Sequence, residues 1–126
     1  MNCKMFLIPV FMLLAMATCS AKDILHLKSQ KDIDAAIKNN NMVVIDYHAE
    51  KTCAPCQQMA KILPDLAKEF EKVQFIKVDV NEFDVAEIRS VPTFVFYLDG
   101  KEVKRFAGSK SKGSFINIMK ESFKCC

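Results

Sequence analysis

The sequence predicts an α/β fold: a central mixed sheet, mostly parallel, closed by an antiparallel C-terminal hairpin and flanked by helices. Three observations lead there. Short runs rich in β-branched residues alternate with segments of helical periodicity, the order that builds right-handed parallel crossovers. An Asp99-Gly100 pair divides the last two strand-like runs, a strong hairpin signal. The chain has 126 residues, and behind a leader-like segment at 1–21 it leaves 22–126 for one domain with an ordinary core.

The elements follow in order. Ile24 to Leu27 reads as a short first strand. Ser29 offers an N-cap, and Ile33, Ala36 and Ile37 recur at helical spacing, so a helix is expected from Ser29 to Asn39. Met42 to Tyr47 is a dense apolar run suited to a strand covered on both faces. Cys56, Met59, Ala60, Leu63, Leu66, Ala67 and Phe70 step by threes and fours, giving an amphipathic helix from about Cys53 to Phe70. Pro64 inside it removes one backbone bond and is expected to kink it. Val73 to Val80 reads as a strand, and Glu82 to Ile88 as a short helix. Thr93 to Leu98 and Glu102 to Phe106 flank the turn. Ser111 to Phe123 closes the chain as a helix with Phe115, Ile118 and Met119 inward.

Charge and cysteine placement narrow the function. Lys and Arg total 18 against 15 Asp and Glu, interspersed and without a basic stripe, so nucleic acid is not an expected partner. Met1-Asn2-Cys3-Lys4, an apolar stretch from Met5 to Ala17 and the small residues up to Ala21 match a secretory signal peptide. The stretch is shorter than a bilayer-spanning helix needs. We therefore expect a secretory-pathway or extracytoplasmic protein with no membrane span in its mature chain.

Of six cysteines, Cys3 and Cys19 leave with the leader, Cys53 and Cys56 form a C-x-x-C, and Cys125 and Cys126 end the chain. That terminal pair offers an intermolecular disulfide or an unstructured tail. A lone C-x-x-C supplies two ligands where structural zinc needs four, and neither His26 nor His48 has zinc-finger spacing, so no metal is expected. In a βαβ setting it favours redox chemistry. Cys53 falls at a helix start, where free N–H groups and the macrodipole stabilise a thiolate, and Lys51 adds charge nearby. Cys56 lies one turn on, placed to attack a mixed disulfide at Cys53, while Pro55 limits the loop. Asp46 stands in an otherwise apolar strand. Burial raises a carboxyl pKa, which suits it to take the Cys56 proton, and pairing with Lys77 is the structural alternative. Protonated, His48 would favour the thiolate; otherwise it is a rim histidine.

These residues together resemble the thioredoxin family over about Asp23 to Ser122. The matching stretches are Val43-Val44-Ile45-Asp46-Tyr47, Ala49-Glu50, Cys53-Ala54-Pro55-Cys56, Lys77-Val78-Asp79-Val80, Ile88-Arg89-Ser90-Val91-Pro92-Thr93-Phe94, Asp99-Gly100 and Ser109 to Gly113. The resemblance implies a thioredoxin fold. It makes Cys53 the exposed attacking cysteine, Cys56 the buried resolving one and Asp46 the buried acid, with Lys77 beside that acid. It makes Pro92 a cis-proline and Val91 the residue whose backbone pairs with a substrate strand. It implies a reductase of protein disulfides that needs no cofactor beyond its dithiol and is recharged by a separate electron donor. A secretory oxidase or isomerase and a non-catalytic binding or assembly subunit are the alternatives. Three departures stand out. Lys51-Thr52 replaces the family tryptophan and lengthens the loop by one residue. His48 stands where a second tryptophan is common. The helix proline is Pro64, three residues beyond the family position at Lys61.

Overall fold

The computed structural model describes residues 23–85 and 87–124; the expected leader and the Cys125-Cys126 pair lie outside them. The chain runs β1 (Leu25–His26), α1 (Gln30–Asn39), β2 (Met42–His48), α2 (Ala54–Glu69), β3 (Val73–Asp79), β4 (Thr93–Leu98), β5 (Lys101–Ala107) and α3 (Lys112–Phe123). Ser29 caps α1 by accepting the Asp32 N–H at 3.2 Å, and Ser111 caps α3 by accepting that of Ser114 at 3.2 Å. Asp99 and Gly100 both take positive φ, 51° and 83°, which a two-residue hairpin turn demands.

The sheet order is β1-β3-β2-β4-β5. β1 and β2 flank β3 in parallel, whereas β4 pairs antiparallel with β2 and β5 antiparallel with β4. The sheet is thus mixed, with three neighbouring parallel strands and an antiparallel C-terminal hairpin, as the sequence predicts. β3 and β4 are joined without a helix. The expected helix at Glu82–Ile88 does not form among the described residues. Asp79 instead holds a turn, its side chain accepting the Asn81 N–H and its carbonyl that of Glu82, and the chain re-enters the sheet reversed. Pro64 does not divide its helix. α2 is one element from Ala54 to Glu69, anchored on both sides of the proline by buried Met59, Leu63, Leu66 and Ala67.

Strand alternation sorts the core into two layers. Val43, Ile45 and Tyr47 of β2 pack with Ile76 and Val78 against Ile33 and Ala36 of α1. Val44, Phe75, Phe94 and Phe96 face α2 and α3, where Phe115 meets the Phe94 ring edge-on at 5.0 Å. No helix of the described residues is long and apolar enough to cross a membrane. Phe115 is fully buried at the centre of this aromatic layer. Phe115→Ala is expected to cost about 3–5 kcal/mol in urea unfolding, with an unchanged m-value.

Candidate active site

Toward the C-terminal end of the parallel strands, the face beneath α2 changes character. Val44 lies opposite Phe75, both apolar. One pleat further Asp46 lies opposite Lys77, and at the next His48 lies opposite Asp79. His26 of β1 pairs with Lys77, and Phe94 of β4 pairs with Asp46. A polar column therefore runs up the sheet and ends where β2 hands the chain to α2.

That handover places the cysteines. Cys53 is the N-cap residue of α2, and its Sγ accepts the Cys56 N–H at 3.1 Å while its carbonyl accepts that of Gln57. A sulfur in this position replaces the side-chain oxygen of an ordinary cap and lies in the positive field of the helix end. Pro55, within the first helical turn, has no N–H to leave unpaired. Cys53 and Cys56 are joined as a disulfide. Both sulfur-bearing residues are largely covered in this state: Cys53 is 7 % exposed and Cys56 3 %, a smaller contrast than the expected exposed and buried pair. Ala49, Val80 and Val91 pack against them. The Val91–Pro92 bond is cis, as the resemblance implied.

Asp46 is 1 % exposed, and neither carboxylate oxygen has a hydrogen-bond partner. Burial pushes its pKa up from 3.8 to about 7, and the nearby Lys77 charge only partly offsets this. His48, also buried, donates from Nδ1 to the Asp46 carbonyl oxygen at a long 3.5 Å. Burial, with the Lys77 charge, lowers its pKa below the ordinary 6.5, so the ring is neutral at neutral pH.

Two cavities adjoin the site. One, of about 140 Å³, is lined by Cys56, Gln57 and Ala60 of α2 and by His48, Glu50 and Lys77. The other, of about 240 Å³, shares His48, Glu50 and Lys77 and is lined also by His26, Asp79 and Glu82. Sequence spacing does not reveal this gathering, because it depends on strand register across β1, β2 and β3. Ligand atoms of His48, Glu50 and Asp79 lie within 4.8 Å of one another, a donor set that divalent cations use. Lys77 lines the same cavities, and its charge opposes a cation there.

A pair of closable sulfurs at an anion-stabilising helix tip is the apparatus of dithiol–disulfide exchange, and it defines the class: a thiol–disulfide oxidoreductase. The chain belongs to the thioredoxin family, whose model, described as Thioredoxin, matches residues 23–121. It is similar to Thioredoxin-3 of Dictyostelium discoideum, 37 % identical over 90 residues, covering 68 % of this chain and 85 % of that one. It is 36 % identical over 102 residues to a thioredoxin of Geodia cydonium, covering 76 % and 95 %. Among solved structures, a thioredoxin mutant from Halobacterium salinarum superposes with a TM-score of 0.76 at 25 % identity, covering 86 % of this chain and 98 % of that one.

The Asp46 environment makes stability depend on pH. The native carboxyl holds its proton up to about pH 7 and the unfolded one only to 3.8, so its contribution is complete below pH 3.8 and is lost as pH rises to 7. The loss amounts to at most ~4 kcal/mol. Asp46→Asn is expected to stabilise the oxidised protein strongly at pH 8 and little near pH 4, read by urea unfolding at both values. An equal gain at the two pH values would refute the buried-charge account.

Proposed function

We propose that the protein reduces disulfides in protein clients outside the cytoplasm, with Cys53 as nucleophile, Cys56 as resolving thiol and Asp46 as proton acceptor. The observation that carries this reading is the Cys53 sulfur capping α2, one turn before Cys56.

In the first step the Cys53 thiolate attacks one client sulfur. The client S–S bond breaks, a mixed disulfide forms, and the other client sulfur leaves as a thiolate. Cys56 then gives its proton to Asp46 and attacks the Cys53 sulfur. The Cys53–Cys56 bond forms, the bond to the client breaks, and the second client thiolate departs. The client gains two electrons, and the enzyme is left as the disulfide. A separate donor, itself a dithiol or its equivalent, reduces that disulfide again.

The raised Asp46 pKa supports its role, since an acid near neutrality exchanges protons readily at working pH. Lys77 tunes that acid through its charge. Pro55 restrains the reactive turn. Val91 and Pro92 serve to bind an extended client segment, a reading supported by the packing of Val91 against the cysteine pair. The reducing direction rests on Ala54-Pro55 between the cysteines, one methyl group from the Gly-Pro of thioredoxin. The location rests on the pattern of residues 1–21.

Insulin reduction tests the activity. Cys53→Ser is expected to abolish it, and Cys56→Ser to stop at a trapped mixed disulfide. Turnover by Cys53→Ser would sink the assignment. Equilibration with glutathione should give a potential of about −270 mV; about −120 mV would make the protein an oxidase. N-terminal sequencing of protein exported by a secreting host should begin at Lys22, and an intact Met1 would refute the leader.

A further inference from the structure

Asp46 has a problem that its own surroundings do not solve. It is 1 % exposed and has no hydrogen-bond partner among the described residues, yet a proton acceptor near neutrality must trade protons with solvent between the two half-reactions. The cavity at Cys56 and the second cavity have His48, Glu50 and Lys77 as common walls, and Asp46 itself lines neither. Of these three, the Lys77 ammonium only donates, while a neutral imidazole accepts on one nitrogen and donates from the other. His48 is also the buried one of the three; it is 4 % exposed and lies one pleat beyond Asp46 on the same face of β2. Its Nδ1–H is turned back to the Asp46 carbonyl, which leaves Nε2 as the accepting atom.

We propose that His48 is the residue that carries protons between the buried Asp46–Cys56 pair and solvent. This rests on the reading of Asp46 given above. The Cys56 proton passes to Asp46, and from this pair it leaves by the cavity that Cys56 and His48 share, reaching His48 Nε2 and then solvent. That cavity has the polar side chains of His48, Glu50, Gln57 and Lys77 in its walls beside apolar surface, and it is large enough to hold water as a bridge. No electrons move in this step. The groups facing the imidazole are the Asp46 carbonyl on its own strand, Lys77 and Asp79 on β3, Glu50 on the following loop, and His26 on β1 with Glu82 beyond it. Burial and Lys77 keep the ring neutral, so it is ready to accept. His48 acts through the cavity and does not touch the reacting sulfurs.

The test uses the reduced full chain, an aromatic disulfide whose thiolates stay ionised and coloured at pH 8, and a pH dye in weak buffer. Ring closure releases the second aromatic thiolate and, in the same turnover, one proton. In wild type the two signals should coincide. In His48→Gln and His48→Phe the proton should lag the thiolate by at least about tenfold. A merely structural role would slow both signals together, so coincident traces in both variants would overturn the proposal. If neither variant folds, the imidazole tautomer of wild type decides by 15N NMR: a bare Nε2 supports the relay, and a protonated Nε2 with bare Nδ1 refutes it. A wild type that never releases the second thiolate would overturn the dithiol mechanism itself and this inference with it.

Discussion

The seating of α2 across the sheet, through Met59, Leu63 and Leu66, determines where the N-terminus of that helix lies, and with it the position of Cys53. The remainder of the active end follows. A helix presents its free N–H groups at one end only, so a nucleophile that needs an anionic form must be delivered there. β2 delivers it by ending at His48 and leaving a short loop that brings Cys53 to the cap. The apolar face of α2 thus does more than stabilise the fold: by holding the helix at one depth over Val44 and Phe75, it sets the height of the reactive turn above the polar column.

The column itself runs against the interest of stability. A carboxyl placed between Lys77 and Phe94 in the sheet register, without a hydrogen bond, destabilises the fold whenever it is ionised. Its worth is chemical. Lys77 lies close enough to moderate the pKa but does not pair with the carboxylate as a hydrogen-bonded ion pair, and the acid remains near neutrality as a result. A tight ion pair would give a more stable protein and a poorer proton acceptor.

How much of this was readable in advance depended on the range over which each feature is encoded. The Met42–Tyr47 strand, the stepped apolar face of α2, the Ser29 and Ser111 caps and the Asp99-Gly100 turn are local, and each appears where its residues predict. The reversed entry of β4 was not legible, because it depends on a segment, Glu82–Ile88, that has helical residues but is held in turns by Asp79. Asp46 was legible as a polar residue in an apolar run. Its partnerless state and the convergence of His26, His48, Glu50 and Asp79 were not, because they arise from the register of three strands. Pro64 stands inside α2, which continues through it as one helix held by buried contacts on both sides.

The departures from the family pattern converge on the same corner of the molecule. The position where a family tryptophan is common holds His48, and the residues before Cys53 are Lys51 and Thr52, both exposed. A tryptophan at the first place would present a broad apolar ring with a single donor. The imidazole is smaller, accepts as well as donates, and lines both cavities. A small amphoteric group in place of a large apolar one puts a polar ring in the wall of the cavity at Cys56, while Cys53 remains the cap of α2. In the proposed mechanism the nucleophilic step is therefore unchanged, and the difference falls on the resolving side, where the buried proton is handled.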